Sequence, residues 1–377
     1  MKILVLTKRQ YTGKDLLNDR FGRLREIPLG LAQLAHEVSG ICLSYRPRVN
    51  GTTTDGDPSS NVHVIWHSLN LGKLIIPGLV NFFLQVNQLA REFRPDIIWA
   101  CSDSFHAIFG VWLGNRLGTK CVLDLYDNFE SFKITRLPGI LPLFKRAVNA
   151  ADGVTCASRR LAERVSRNYR RTGPTMVLEN AARTDLFYAR LQKTCRKSLG
   201  LPTNAQIIGT AGALYRERGI NALFRGFELL AAKNVNLHLA IAGPRDFRSR
   251  IPTGPRVHDF GILPLETVPF LINALNVAVI CNRDSPFGRY CFPQKAYEIM
   301  ACRVPLVAAA VGMMEDLLEH HPQCLFEPDN AQSCANAIRN QLTKPTLLDF
   351  KVPSWSDTAK QLEAFLAQTL KQRHDPV

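Results

Sequence analysis

Short apolar runs recur along the chain, separated by amphipathic stretches of helical length. Residues 2–7 (KILVLT), 62–66, 96–100 (DIIWA), 120–125 (KCVLDL) and 153–157 (GVTCA) read as buried strands. Residues 27–38 (IPLGLAQLAHEV) and 74–93 have helical spacing; the second, with Pro77 in its first turn, reads as core-facing or else as lying on a membrane surface. The pattern restarts with 206–211 (QIIGTA), 237–242 (LHLAIA), 257–260, 277–281 (VAVIC) and 306–310, each ahead of a helical stretch. Buried β-branched runs alternating with helices specify parallel sheets with crossover helices. Two such series predict two doubly wound α/β domains that face each other, with ligands in the cleft beyond the strands' carboxyl ends. The division falls near 183–204, giving domains at 1–188 and 189–350. Residues 351–377 form a last helix, starting after Ser354-Trp355-Ser356-Asp357 and ending about Lys371, that is expected to pack back on the first domain. The polar stretch 52–61 (TTTDGDPSSN) reads as a loop.

Composition narrows the function classes. Of 377 residues, 46% are hydrophobic and 21% charged, values that exclude disorder, collagen and coiled coil. No apolar run approaches the ~20 residues of a membrane-spanning helix, and the first ten residues are too short in apolar content for a signal peptide. A cytoplasmic protein, soluble or held on the inner face of the membrane, is the expectation. The ten cysteines include no C-x-x-C pair and mostly sit in apolar runs, which suits buried free thiols and neither a zinc site nor a disulfide scaffold. The net charge is +15, and residues 1–190 hold 26 basic against 16 acidic side chains. The densest basic run, 159–171 (RRLAERVSRNYRR), is either a solvated helix face or a surface for an anionic partner such as a lipid leaflet. Nucleic acid is not expected, because no basic stripe is interleaved with aromatic residues.

Candidate chemistry concentrates in residues 287–308 (FGRYCFPQKAYEIMACRVPLVA). A glycine-containing loop, a helix from about 295 and a following strand can hold phosphate oxygens on loop amides and on the helix start. Glu298, near that helix start, is an acceptor suited to the paired hydroxyls of a ribose, or it simply complements the helix dipole. In the first half, Asp127 follows a strand. It is either an acid/base or sugar-contacting residue or a helix cap. His106, after Cys101-Ser102-Asp103, is a lesser catalytic candidate. Residues 10–23 follow the first strand, and Gly13 there serves either close approach of a substrate or only a turn.

The 287–308 segment resembles the donor-site motif of GT-B glycosyltransferases, in particular the family 4 group (glycosyl transferases group 1). Pro293, Lys295, Glu298, Met300, Ala301 and Pro305 match the form P-x-K-x-x-E-x-M-A-x-G-x-P. Arg303 stands in place of the family's glycine, and Tyr290 in place of the first glutamate of its E-x7-E pair. Residues 177–187 resemble the family's interdomain stretch through Asn180, Asp185 and Phe187. Residues 209–219 (GTAGALYRERG) resemble its G-x-L…KG segment, with Arg218 for the lysine and Ala213 where an arginine is often found. Residues 242–244 and 257–263 resemble the family's second-domain strand ends.

The resemblance implies a GT-B fold and a glycosyltransferase acting from a nucleoside-diphosphate sugar, UDP-linked by family habit, to a saccharide or lipid-linked acceptor. Retention at the anomeric carbon, no cofactor and no metal are expected, within polysaccharide, lipopolysaccharide or glycolipid assembly. The alternatives are a GT-B nucleotide-sugar 2-epimerase and a non-catalytic subunit of a glycan synthesis complex. Carried over, Glu298 binds the ribose and Arg218, helped by Arg216, neutralises the diphosphate. Gly212 and Lys295 belong to the same donor site. Amides of Gly288, Arg289, Tyr290, Cys291 and Phe292 hold phosphates, and backbone at Ile262 and Leu263 meets the base. Gly13, Arg23 and Glu130 are acceptor candidates. Related enzymes carry a histidine before the aspartate at position 127, where this chain has Tyr126.

Overall fold

The computed structural model describes residues 1–11, 13–57, 62–72 and 75–372. The chain divides into a first unit, residues 1–180 with 355–377, and a second, residues 181–354. These boundaries differ from the sequence-based ones at 188/189 and 350/351.

In the first unit the strands are β1 (Lys2–Lys8), β2 (Gln10–Tyr11), β3 (Lys14–Asp15), β4 (Glu37–Ser44), β5 (Gly51–Asp57), β6 (Val62–Asn70), β7 (Ile97–Cys101), β8 (Lys120–Leu125), β9 (Gly153–Cys156) and β10 (Thr175–Val177). The helices are α1 (Arg23–Gln33), α2 (Ile75–Phe93), α3 (Ser104–Leu117), α4 (Ile140–Ala150) and α5 (Arg159–Tyr169). The sheet runs β10-β9-β8-β7-β1-β4-β6-β5 and is parallel except for β5, while β2 and β3 form a separate hairpin. Chain order reverses between β1 and β7, so the carboxyl ends of those two strands frame the crevice where such sheets bind ligands.

The second unit contains α6 (Gln192–Ser198), β11 (Gln206–Ala211), α7 (Asn221–Ala231), β12 (Leu237–Ala242), β13 (Val257–Asp259), α8 (Val268–Ala274) and β14 (Val277–Ile280). Then follow α9 (Gln294–Ala301), β15 (Leu306–Ala309), α10 (Met313–Leu317), β16 (Leu325–Phe326) and α11 (Ala331–Thr343). Its sheet is wholly parallel in the order β13-β12-β11-β14-β15-β16. This is the 3-2-1-4-5-6 order of dinucleotide-binding folds, with its switch point between β11 and β14. The core beneath it joins Ile208, Leu239, Val277 and Val307 of the strands to Leu223, Phe227 and Ile338 of the helices. The last helix, α12 (Trp355–Lys371), belongs to the first unit and lies along α1.

The structure corrects three expectations. The helix expected over 27–38 ends at Gln33. Ala35 turns the chain with φ +62, and β4 follows. That strand (EVSGICLS) is buried along nearly its whole length, but Ser39 and Gly40 break the apolar run by which a buried strand is recognised. The expected loop at 52–61 is, through Asp57, the antiparallel edge strand β5; its residues are polar because all but Asp55 face water. Positions 58–61 of that loop and Leu74 of the long helix lie outside the described residues. Third, the basic run at 159–171 is not one solvated face. Arg171 is buried and donates to the carbonyls of Val148, Asn149, Ala151 and Pro174, which closes the end of α4. Arg164 is tied to Glu130.

All ten cysteines are free thiols, nine of them buried. No helix among the described residues is long and apolar enough to cross a membrane.

Candidate active site

The second unit gathers its chemistry at the β11/β14 switch point. β11 gives way to Gly212, whose φ of +126 admits glycine and little else. A Cβ there would sit 3.1 Å from Lys295 Nζ, so the ammonium on α9 reaches back over the strand end. The turn Arg216–Arg218 follows, and the Arg218 guanidinium lies 3.7 Å from the centre of the Phe287 ring. Burial first, and then the charge of Arg218, hold the Lys295 ammonium below its ordinary pKa; Glu298 pulls the other way. Among the described residues neither Arg218 nor Lys295 has an ion-pair partner. Two close cations left without an anion form a ready receptor for phosphate.

Glu298 stands one turn along α9 from Lys295. It is buried, and Oε1 accepts from Gln294 Nε2 at 2.8 Å, while Oε2 has no partner among the described residues. Burial raises its pKa, against the pull of Gln294 and Lys295. Gln294 and Glu298 share a helix face at i, i+4 spacing, a signal that was available in the sequence. The base-contact candidates also keep free groups. Ile262 is exposed, and neither it nor Leu263 uses its backbone in a hydrogen bond among the described residues.

The phosphate-loop expectation is not met at Gly288, Arg289, Tyr290 and Cys291. The amide of Gly288 donates to Ser285 Oγ and that of Arg289 to the Ser285 carbonyl; those of Tyr290 and Cys291 donate to the Phe287 carbonyl. The loop spends these donors on its own tight turn. The side chains of Cys291 and Phe292 are buried, Arg289 is exposed and paired with Asp284, and Tyr290 is half-buried. Arg216 is exposed on the turn after β11. Arg303 has φ +55 just after α9, a conformation that accounts for a glycine at this place in the family motif.

In the first unit the β1/β7 switch point holds a polar cluster. Ser102, at the end of β7, has φ +95, strained for a residue with a side chain. Its hydroxyl meets that of Thr7 and accepts from the Lys8 amide at 3.0 Å. Asp103 caps α3, contacts His106 Nδ1 at 2.7 Å and accepts from the Tyr45 hydroxyl at 3.0 Å. Burial opposes its ionisation, but His106 and Lys8 outweigh that and bring its pKa down to about 2. His106 Nε2 is buried without a hydrogen-bond partner among the described residues. Lys8 ends β1, its ammonium 4.9 Å from the Phe132 ring centre. Burial lowers its pKa, while Asp103 and Asp127 pull it up. Asp127 itself is buried and accepts from the Asn128 amide at 2.8 Å; the cap of the following turn is Asn128. The structure thus gathers Asp127 and Asp103, the latter bonded to His106, around Lys8, which the sequence reasoning missed although it closes the first strand.

The acceptor candidates are placed elsewhere. Arg23 is fully buried, with Nη2 to Asp124 Oδ1 at 2.6 Å, Nε to Oδ2 at 2.8 Å and Nη1 to the Leu178 carbonyl at 2.8 Å. It anchors α1 to β8 and has no face left for a sugar. Glu130 is engaged by Arg164, by Lys145 at 3.9 Å and by Tyr169. Gly13 sits in the β2–β3 turn with φ +82 and open space where a Cβ would be, so the turn alone explains it. Among the described residues no three His, Cys, Asp or Glu side chains are grouped as metal ligands.

Comparison with known proteins agrees with this geometry. Residues 24–186 match the family described as Glycosyltransferase Family 4, and residues 205–344 match Glycosyl transferases group 1. TuaC of Bacillus subtilis, which bears the name of a teichuronic acid biosynthesis glycosyltransferase, is 27% identical over 273 residues, 69% of this chain and 65% of that protein. An uncharacterized glycosyltransferase of Methanocaldococcus jannaschii is 27% identical over 156 residues, 39% of this chain and 38% of its own. The matches thus span less than two thirds of either relative. Among solved structures, sucrose-phosphate synthase of Thermosynechococcus elongatus superposes with a TM-score of 0.76 at 19% identity, over 98% of both chains. Anabaena HepE in complex with UDP gives 0.66 at 19% identity, over 99% of this chain and 98% of that one. Matched by family models through both of its parallel-sheet units, the chain belongs to the GT-B glycosyltransferases of the family 4-like, group 1 kind.

Proposed function

We propose that the protein transfers a sugar from a UDP-linked donor to a saccharide or lipid-linked acceptor, with retention at the anomeric carbon and without a resident metal. The observation that carries this reading is the pair of cations without an ion-pair partner among the described residues, Arg218 and Lys295, beside the half-engaged carboxylate of Glu298 at the β11/β14 switch point. Glu298 Oε2 accepts from the ribose hydroxyls. Arg218 and Lys295 take up the diphosphate charge that grows as the bond to the sugar breaks, and fixed cations lower that barrier. Free backbone at Ile262 and Leu263 receives the base. UDP is favoured because HepE, a neighbour in fold, was solved with UDP and with UDP-glucose. A role in polysaccharide, lipopolysaccharide or glycolipid assembly is supported by the similarity to TuaC. The acceptor belongs to the β1/β7 crevice of the first unit, where Lys8, Asp103, His106 and Asp127 can orient a hydroxyl group.

One observation favours a second reading, a donor-binding subunit without turnover. Tyr126 is buried and donates to the Ser102 carbonyl at 3.0 Å, so it cannot act as the histidine of related enzymes would. A thermal-shift panel of UDP-, GDP- and ADP-sugars, followed by nucleotide release with saccharide and lipid extracts, separates these readings. Stabilisation by UDP compounds with acceptor-dependent release supports transfer. Stabilisation without release on any extract supports the second reading, and no shift with any nucleotide contradicts both.

A further inference from the structure

An open groove of about 440 Å³ lies between α2, α3, the turn Lys133–Arg136 and α4, all within the first unit. Its wall is apolar throughout and includes Phe83, Phe105, Phe109, Trp112, Ile134 and Leu143. The apolar surface continues beyond it. Ile76, Val80 and Leu84 recur every fourth residue on α2, and all three are exposed, Leu84 by 66%. Leu137, between the turn and α4, is exposed as well. A contiguous apolar surface of this kind marks a contact with something nonpolar.

Charge identifies the partner. The four elements that frame the groove carry Arg116, Lys133, Arg136 and Arg146, none with an ion-pair partner among the described residues; Lys145 pairs with Glu130, and Arg91 adjoins the one acid of these elements, Glu92. Glu92 lies at the far end of α2 and lines a separate cavity beside β4 and β6. Arg116 rests 5.5 Å from the Trp112 ring centre, and a tryptophan with a basic neighbour suits the boundary between water and hydrocarbon. We propose that this face docks on an anionic lipid bilayer, with acyl chains against the groove and headgroups against the basic rim. The surface includes α2, whose sequence also allowed a membrane-surface reading, and differs from the 159–171 run; the proposal stands independently of the transferase reading, since it concerns binding alone.

Trp112 reports on the contact directly. It is 43% exposed, whereas Trp66, Trp99 and Trp355 are buried. The full-length protein is mixed with vesicles of phosphatidylglycerol, and separately of phosphatidylcholine, whose acyl chains are brominated. The expected result is a blue shift and quenching of Trp112 emission by the phosphatidylglycerol vesicles alone, weakened by added salt. The exposed double variant Lys133→Glu/Arg136→Glu should bind about tenfold more weakly, and Leu84→Asp should reduce quenching, both with unchanged circular dichroism. Trp112→Phe should lose the signal but still co-sediment with the vesicles. Absent quenching, or equal quenching by both lipids, overturns the proposal. So does a concentration-dependent dimer that shields Trp112 while vesicle binding is absent, since the face would then belong to a second copy.

Discussion

Glu298 is held in a buried place that disfavours its charged form. Its folded-state pKa is raised by burial above the ordinary 4.5. Between those two values the folded chain keeps a proton that the unfolded chain has lost, so stability falls as pH rises through that window and the deficit persists above it. Glu298→Gln should therefore melt no lower than the parent at pH 7–8, while UDP affinity drops because a ribose acceptor has been lost. The pairing of these results in melting and titration experiments separates a binding carboxylate from a structural one. Much of this site was legible: Pro293, Lys295 and Glu298 stand in a spaced motif, and Arg218 sits at a fixed offset from a strand end. The phosphate-holding amides were misassigned because a glycine in a loop does not reveal whether its neighbours' N–H groups are already bonded, here to Ser285 and Phe287. Lys8 was missed for a different reason. Its importance comes from Asp103 and Asp127, roughly a hundred residues away along the chain, and no local spacing encodes that.

Among the secondary elements, the Arg23–Asp124 pair joins the first residue of α1 to the buried end of β8, and Thr155 Oγ1 of β9 adds a 2.6 Å bond to the same carboxylate. Removing one partner of a fully buried pair strands the other's charge. Arg23→Ala should lower unfolding stability by about 3–5 kcal/mol in urea titrations, a loss far beyond that of an acceptor contact, which would alter KM and leave stability alone. At the end of α9, Arg303 occupies a left-handed conformation at φ +55. Arg303→Gly should raise stability by about 1 kcal/mol, read as a higher urea midpoint at unchanged slope. The alternating pattern of buried runs and helices located most strands within a residue or two, because parallel strands are apolar throughout. It failed at β4, where Gly40 and Ser39 interrupt a buried strand, and at β5, whose threonines form an edge that faces water.

In each of the two units a largely parallel sheet has a switch point, β1/β7 in the first and β11/β14 in the second, and a cluster of titratable side chains lies there. In the second unit the collection is cationic with one open carboxylate; in the first it is a mixed cluster around Lys8. The proposed function takes the second unit as the nucleotide receptor on the strength of chain topology and charge placement, and this is the claim on which it depends. Calorimetric titration of UDP into the parent protein and into Glu298→Ala and Arg218→Ala tests it most directly. A defined one-site isotherm for the parent, weakened by about tenfold or more in each variant, is the predicted result, the loss expected for a hydrogen bond to a charged group. The same affinity in all three proteins would contradict it.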